Sequence, residues 1–171
     1  MSNIAINKLT NANVYLNGTS FMGRAEEVDI PEVNYTFADH KGLGMFGMTE
    51  LPSGLDKMEA RIKWNAPYPD AIQQLSNAYE AKQLTVRGNL ETYGSTGRTG
   101  QVPYVCTMTV VPKNIAGAKF VQQANVEMES RLTVTRVKLV IDGVTQYEVD
   151  VMANILTIAG VDVLAQYRQN L

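Results

Sequence analysis

Residues 126–141 alternate apolar and polar side chains over an unusually long run: Val126, Met128, Leu132 and Val134 against Glu127, Glu129, Arg131, Thr133 and Thr135. A period of two puts these sets on opposite faces of a β-strand, whereas a helix would wind them around its whole circumference. Near Arg136 the parity flips, with Val137, Leu139 and Ile141 now apolar. One extra residue in a β-bulge produces such a flip. Asp142-Gly143 follows, a strong hairpin turn signal, and residues 144–151 read as the returning strand. A long strand with one apolar face needs a second layer to cover it, so the chain is predicted to be mainly β.

The rest of the pattern agrees. Met58, Ala60, Ile62 and Trp64 alternate with Lys57, Glu59, Arg61 and Lys63, a half-buried strand with a charged outer face. Residues 12–17 read as a short strand. Residues 24–30 and 32–38 read as one long strand with a parity shift at Pro31. Residues 84–93 and 101–111 read as a hairpin whose polar, glycine-rich connection, 94–100, is longer than a tight turn. Residues 113–123 show no period and read as a connection. One longer helix is expected from Pro69, with Asp70 in its first turn and Ala71, Ile72, Leu75, Ala78 and Tyr79 as its apolar stripe. A short C-terminal helix is expected within 161–169, with Val161, Leu164 and Tyr167 on one side. The predicted fold is a mainly β sandwich or barrel with one flanking α-helix and a short C-terminal helix. It forms a single domain over 1–171.

Chemistry is hard to place on this chain. His40 is the one histidine, in a solvated loop, so no histidine pair can hold a metal. The one cysteine, Cys106, excludes an internal disulfide and a cysteine-built metal site; in an alternating run it reads as a buried, inert thiol. No serine lies in a G-x-S-x-G elbow. Glu26-Glu27 and Glu127/Glu129 read as polar strand faces. Gly42, Gly44 and Gly47 match G-x-G-x-x-G literally, but Met48-Thr49-Glu50-Leu51-Pro52 opens no helix to cradle a phosphate. The chain is therefore predicted not to be an enzyme and to use no cofactor or metal. A net charge of −2 argues against specific nucleic-acid binding. No apolar run approaches the ~20 residues of a membrane span, so no membrane anchor is expected. The first eight residues lack the layout of a signal peptide, which predicts synthesis and retention in a cytoplasm.

Residues 39–56 stand out physically. They show no secondary-structure period over a length beyond the ~12–15 residues usual for such connections. They carry Leu43, Met45, Phe46, Met48 and Leu51 among several glycines. Such a segment can fold under the core, stay disordered or dock on another subunit. Its apolar content disfavours disorder. Charged residues make up only 19% of the chain, below the ~25% of typical soluble domains, as suits a chain that expects neighbours.

Several motifs carry a resemblance. They are Asn13-Val14-Tyr15-Leu16-Asn17-Gly18 with Gly23 and Ile30-Pro31, then the 42–48 loop leading to Gly54-Leu55-Asp56. Asp142-Gly143, Tyr147-Glu148-Val149-Asp150 and Gly160-Val161-Asp162-Val163-Leu164 follow in order. Together they resemble the major tail tube proteins of contractile-tailed bacteriophages, a family that includes R-type pyocin tubes. Two departures are Ala159-Gly160-Val161-Asp162, where the family often has Asn-Gly-Val-Asp, and Asn170-Leu171 in place of a Gly-Leu ending.

The resemblance implies a structural subunit whose hexameric rings stack into a hollow tube for DNA delivery, driven through the host envelope by sheath contraction. Its partners would be other copies of itself, the tail sheath, baseplate and tail terminator. The tape measure protein and transiting genomic DNA would occupy the lumen. Its place would be the virion tail, assembled in the host cytoplasm. About 24 strands at ~4.8 Å give a circumference of roughly 115 Å before tilt, leaving an opening on the order of 25–35 Å. Leu43, Met45, Phe46, Met48, Leu51 and Leu171 are the expected contacts between subunits and rings. Glu32, Asn34, Thr36, Glu59, Arg61, Lys63, Glu127, Glu129 and Thr133 are the expected lumen-facing candidates, giving a mixed or acidic lining. Two alternatives remain open: the tube of a phage-tail-like secretion system or tailocin, and a monomeric ligand-binding β-barrel.

Overall fold

The computed structural model describes residues 4–124 and 126–171; Met1, Ser2, Asn3 and Asn125 lie outside that description. The chain runs through β1 (Ile6–Leu16), β2 (Thr19–Ser20), β3 (Ala25–Asp29) and β4 (Tyr35–His40), then β5 (Thr49–Leu55) and β6 (Met58–Trp64). Helix α1 (Pro69–Gln74) leads to β7 (Lys82–Gly94) and β8 (Gly97–Pro112). Next come β9 (Ala118–Lys119), β10 (Glu127–Ile141) and β11 (Val144–Asp150). β12 (Ile155–Ile158), β13 (Val161–Asp162) and α2 (Ala165–Gln169) complete the chain.

β10 is the spine, as its alternation predicts. One of its edges pairs with β8 over Leu132–Ile141 and with β9 at Glu127 and Met128. The other edge is shared: β6 takes Met128–Val134 and β11 takes Arg136–Ile141. The register against β8 shifts between Val134 and Arg136, where the sequence changes parity. This bulge keeps both halves of β10 apolar toward the core while the strand changes partner. β7 and β1 extend the sheet beyond β8, and β3 extends it beyond β6.

The curled sheet closes over one core. Trp64 and Ile62 of β6 and Leu84 of β7 are fully buried, as is Leu16 of β1. Phe21, just after β2, meets Trp64 edge-on at 5.3 Å. Ala71 and Leu75 bring α1 and its C-terminal edge into the same core. Burying each large apolar side chain contributes roughly 1.5–3 kcal/mol.

Several expectations need correction. The helix ends at Gln74, and Ala78 and Tyr79 are exposed. The Ser76 hydroxyl donates back to the Ile72 carbonyl, and Asn77 Oδ1 accepts from the Tyr79 N–H, so the polar pair turns the chain before another helical turn forms. Residues 24–38 are not one interrupted strand: β3 joins the main sheet and β4 a separate two-stranded sheet. Residues 39–56 are not an irregular connection, because β5 pairs with β4 as a hairpin whose loop is 41–48. Residues 97–100 belong to β8, leaving a tight turn after Gly94. β1 begins at Ile6, well before the expected start. β9, β12 and β13 were not expected; Val161 lies on β13, and the terminal helix starts at Ala165.

Candidate functional site

Among the described residues no group of His, Cys, Asp and Glu is arranged to hold a metal ion. Cys106 is fully buried on β8, and burial pushes its thiol up to about 11, so it stays protonated. His40 ends β4, exposed on the hairpin and not in a loop. The informative features are surfaces.

The first surface is the β4–β5 hairpin. Its strands pair only with each other. Register pairs run from Tyr35 opposite Leu55 to His40 opposite Thr49. At its end Leu43 is 108% and Phe46 111% exposed, and Met45, Met48 and Leu51 are exposed beside them. The loop is ordered locally: the Met45 N–H donates to the Gly42 carbonyl at 3.2 Å, and Gly44 takes a positive φ of 86°. Asp39 stands directly opposite Glu50, a like-charge pair that disfavours the isolated hairpin. At the root, Pro52, Ser53, Gly54 and Leu55 share a concavity with Leu164 and Tyr167, so the C-terminal segment leaves beside the hairpin. Leu171 is exposed at the chain end.

The second surface is the outer face of β3, β6 and β10. Register places Lys63 opposite Glu129, Arg61 opposite Arg131 and Glu59 opposite Thr133. Arg61 reaches Asp29 at 2.6 Å and Glu27 and Glu129 at 3.4 Å. Lys63 lies 3.3 Å from Glu127 and 3.4 Å from Glu26. Glu59 takes Lys113 at 2.5 Å and Lys57 at 3.1 Å. The hydrogen bond from Lys113, then that from Lys57, holds the Glu59 carboxyl below its ordinary range. Asp29 does most to hold the Arg61 guanidinium up, and Glu127 does the same for Lys63. Exposed pairs of this kind add little stability, but they set the surface potential.

Six of the nine polar candidates thus share one face: Glu59, Arg61, Lys63, Glu127, Glu129 and Thr133. Glu32 and Asn34 lie at its margin, lining a concavity with Asp29, Lys57 and Glu59. Thr36 is elsewhere, on the hairpin, where its hydroxyl accepts from Ser53 at 3.1 Å. Sequence reasoning missed the contributions of Glu27, Asp29 and Lys113. The signal for the first two was the β3–β6 register, which sets Asp29 against Arg61.

The third feature is an open cleft of about 700 Å³, lined mainly by Ile30, Val33, Tyr35, Tyr147, Leu156 and Ile158. Its polar contributors are few, Glu32, Asn34 and Gln146, and they give no convergent set for a small ligand.

With this geometry in view, the comparisons are specific. The family model described as phage tail tube protein FII matches residues 6–171. The tail tube protein of Escherichia phage P2 is 29% identical over 168 residues, covering 96% of each chain. By structure, the chain is similar to one in the extended sheath-tube complex of an extracellular contractile injection system, PVC. The TM-score is 0.53 at 14% identity, over 75% of this chain and 87% of that one. It is also similar to a chain of the extended PVC sheath/tube terminator assembly, with TM-score 0.53, 14% identity, 75% of this chain and 92% of that one. At such identity the structural likeness shows a shared fold.

Proposed function

The chain belongs to the phage tail tube protein FII family, and we propose that its copies close into hexameric rings that stack into a hollow conduit for DNA. The role is structural, without catalysis. The whole chain acts as one tube domain in the virion tail, assembled in the host cytoplasm. Its outer wall meets the sheath, its ends meet the baseplate and tail terminator, and its lumen holds first the tape measure protein and then the genome.

The observation that carries this reading is the hairpin. Exposed apolar patches beyond a few hundred Å² are rare on monomers and mark interaction sites. Leu43 and Phe46 project at the end of a hairpin whose strands pair only with each other. Another copy supplies the missing cover, and a ring repeats that contact at every interface. The neighbouring C-terminal segment, ending at Leu171, adds to the contact between rings.

The β3–β6–β10 face is assigned to the lumen. Its mixed charges are already paired within each copy, which suits a wall along which a polyanion must slide. A basic lining would hold DNA, because each neutralised phosphate adds to affinity.

The test is sedimentation and negative-stain microscopy of the chain and of Phe46→Asp. Rings or tubes are expected of the unaltered chain, and a folded monomer of the variant. Normal tubes from Phe46→Asp would remove the hairpin from the assembly contact. A persistent monomer of the unaltered chain at high concentration would favour the ligand-binding barrel.

A further inference from the structure

We propose that Arg131 is a phosphate-contacting residue of the charged face, meeting the phosphodiester backbone of duplex DNA in the assembled tube. The inference rests on the assignment of that face to the lumen.

Arg131 is exposed on β10 between the buried Ser130 and Leu132, so it points outward with Glu129 and Thr133. It stands directly opposite Arg61 in the β6–β10 register. Like charges so placed repel each other and call for compensation. Arg61 has it, from Asp29, Glu27 and Glu129. Arg131 has no carboxylate within ion-pair reach among the described residues. The row continues to Lys113, whose backbone N–H donates to the Arg131 carbonyl at 2.8 Å while its ammonium turns to Glu59. Arg61, Arg131 and Lys113 therefore form a cationic row across three neighbouring segments, and its middle member alone lacks an ionic partner.

The side chain suits the ligand. A guanidinium presents a planar fork of donors that matches two phosphate oxygens. One such group per copy makes a belt around each ring, and stacking repeats the belt along the tube. The paired charges around it limit the grip. Glu129 and Glu59 flank the row, so a duplex touches the belt without meeting a continuous basic wall. Each belt supplies a weak, salt-sensitive contact that centres the moving strand pair.

Two measurements test this. In assembled tubes, Arg131→Cys is treated with a small maleimide and with a maleimide on a polymer too large for the lumen; Cys106 is buried and stays silent. Labelling by the small reagent alone is expected. Equal labelling by both would place the face outside, and the lumen assignment and this inference would fall together. The second measurement is triggered DNA ejection from particles carrying Arg131→Gln or Arg131→Lys, across a salt series. Losing one phosphate contact removes about a three- to fourfold affinity change between 50 and 200 mM salt. Arg131→Gln should eject faster at low salt with a flatter salt dependence, and Arg131→Lys should keep most of the original dependence. Ejection by Arg131→Gln identical to the unaltered particle at every salt would overturn the phosphate contact and leave the lumen assignment standing. Loss of tube formation in folded Arg131→Gln would mean that a carboxylate of another copy is the true partner, which also overturns it.

Discussion

Trp64 Nε1 donates a 3.0 Å hydrogen bond to Ser130 Oγ, and both residues are buried between β6 and β10. The bond joins the two strands that carry the charged face. Ser130→Ala leaves a buried indole N–H without its acceptor, which costs about 1–3 kcal/mol. Urea unfolding should show a lower midpoint with an unchanged slope. An unchanged midpoint would mean that the indole finds another acceptor.

A second site is strained by residue choice. Ala159 has φ +48° and Gly160 φ +84°, the conformation of a type I′ turn between β12 and β13. Left-handed backbone costs an ordinary L-residue about 1–2 kcal/mol, and asparagine is favoured at this place in the turn. Ala159→Asn should stabilise the fold by roughly 0.5–1 kcal/mol, raising Tm by about 1–4 °C. Calorimetry that shows no rise would mean that the turn is relaxed in solution.

These two sites differ in how visible they are in sequence. Trp64 ends a clean alternation on β6 and is buried as that pattern requires. The bulge near Arg136 and the turn at Asp142-Gly143 were also legible, because a buried face forces strict parity and a tight turn demands particular residues. The β4–β5 hairpin was not legible. Both its faces are exposed, so no apolar face imposes alternation on residues 35–55. The short strands β12 and β13 are too brief to show a period. The charged face was half legible: Glu59, Arg61 and Lys63 follow from β6 alone, but the carboxylates of β3 depend on pairing register, which is a long-range property. The hairpin's apolar tip was legible as an anomaly of composition, and the structure adds where it projects.

Acid should loosen the C-terminus. Asp162 accepts hydrogen bonds from Arg168 and, at 3.1 Å, from the Leu164 N–H. These contacts, Arg168 first, hold its carboxyl below the ordinary value of 3.8. A depressed folded-state pKa gives stabilisation that is present above the unfolded value and lost as pH falls through the folded one. Amide exchange in α2 should therefore speed up only below the usual carboxylate range. Asp162→Asn should show the faster exchange already at neutral pH. Unchanged protection in that variant would remove the latch.

Charge reversal on the proposed lumen face should act on transport. Glu129 lies opposite Lys63 and 3.4 Å from Arg61. Glu129→Lys both adds a cation and frees the Arg61 contact. DNA ejection should slow at low salt and recover at high salt, because salt screens exposed charges. Equal slowing at every salt concentration would point to a steric cause.

The central claim is that the hairpin is buried between copies while the β3–β6–β10 face looks inward. A residue-level cryo-microscopy map of the assembled tube tests it most directly. The account predicts six-membered rings with Leu43 and Phe46 covered by neighbouring subunits, and with Arg61, Glu129 and Arg131 on the lumen wall. A map that leaves Phe46 in solvent, or turns Arg61 and Glu129 to the outer surface, would contradict it.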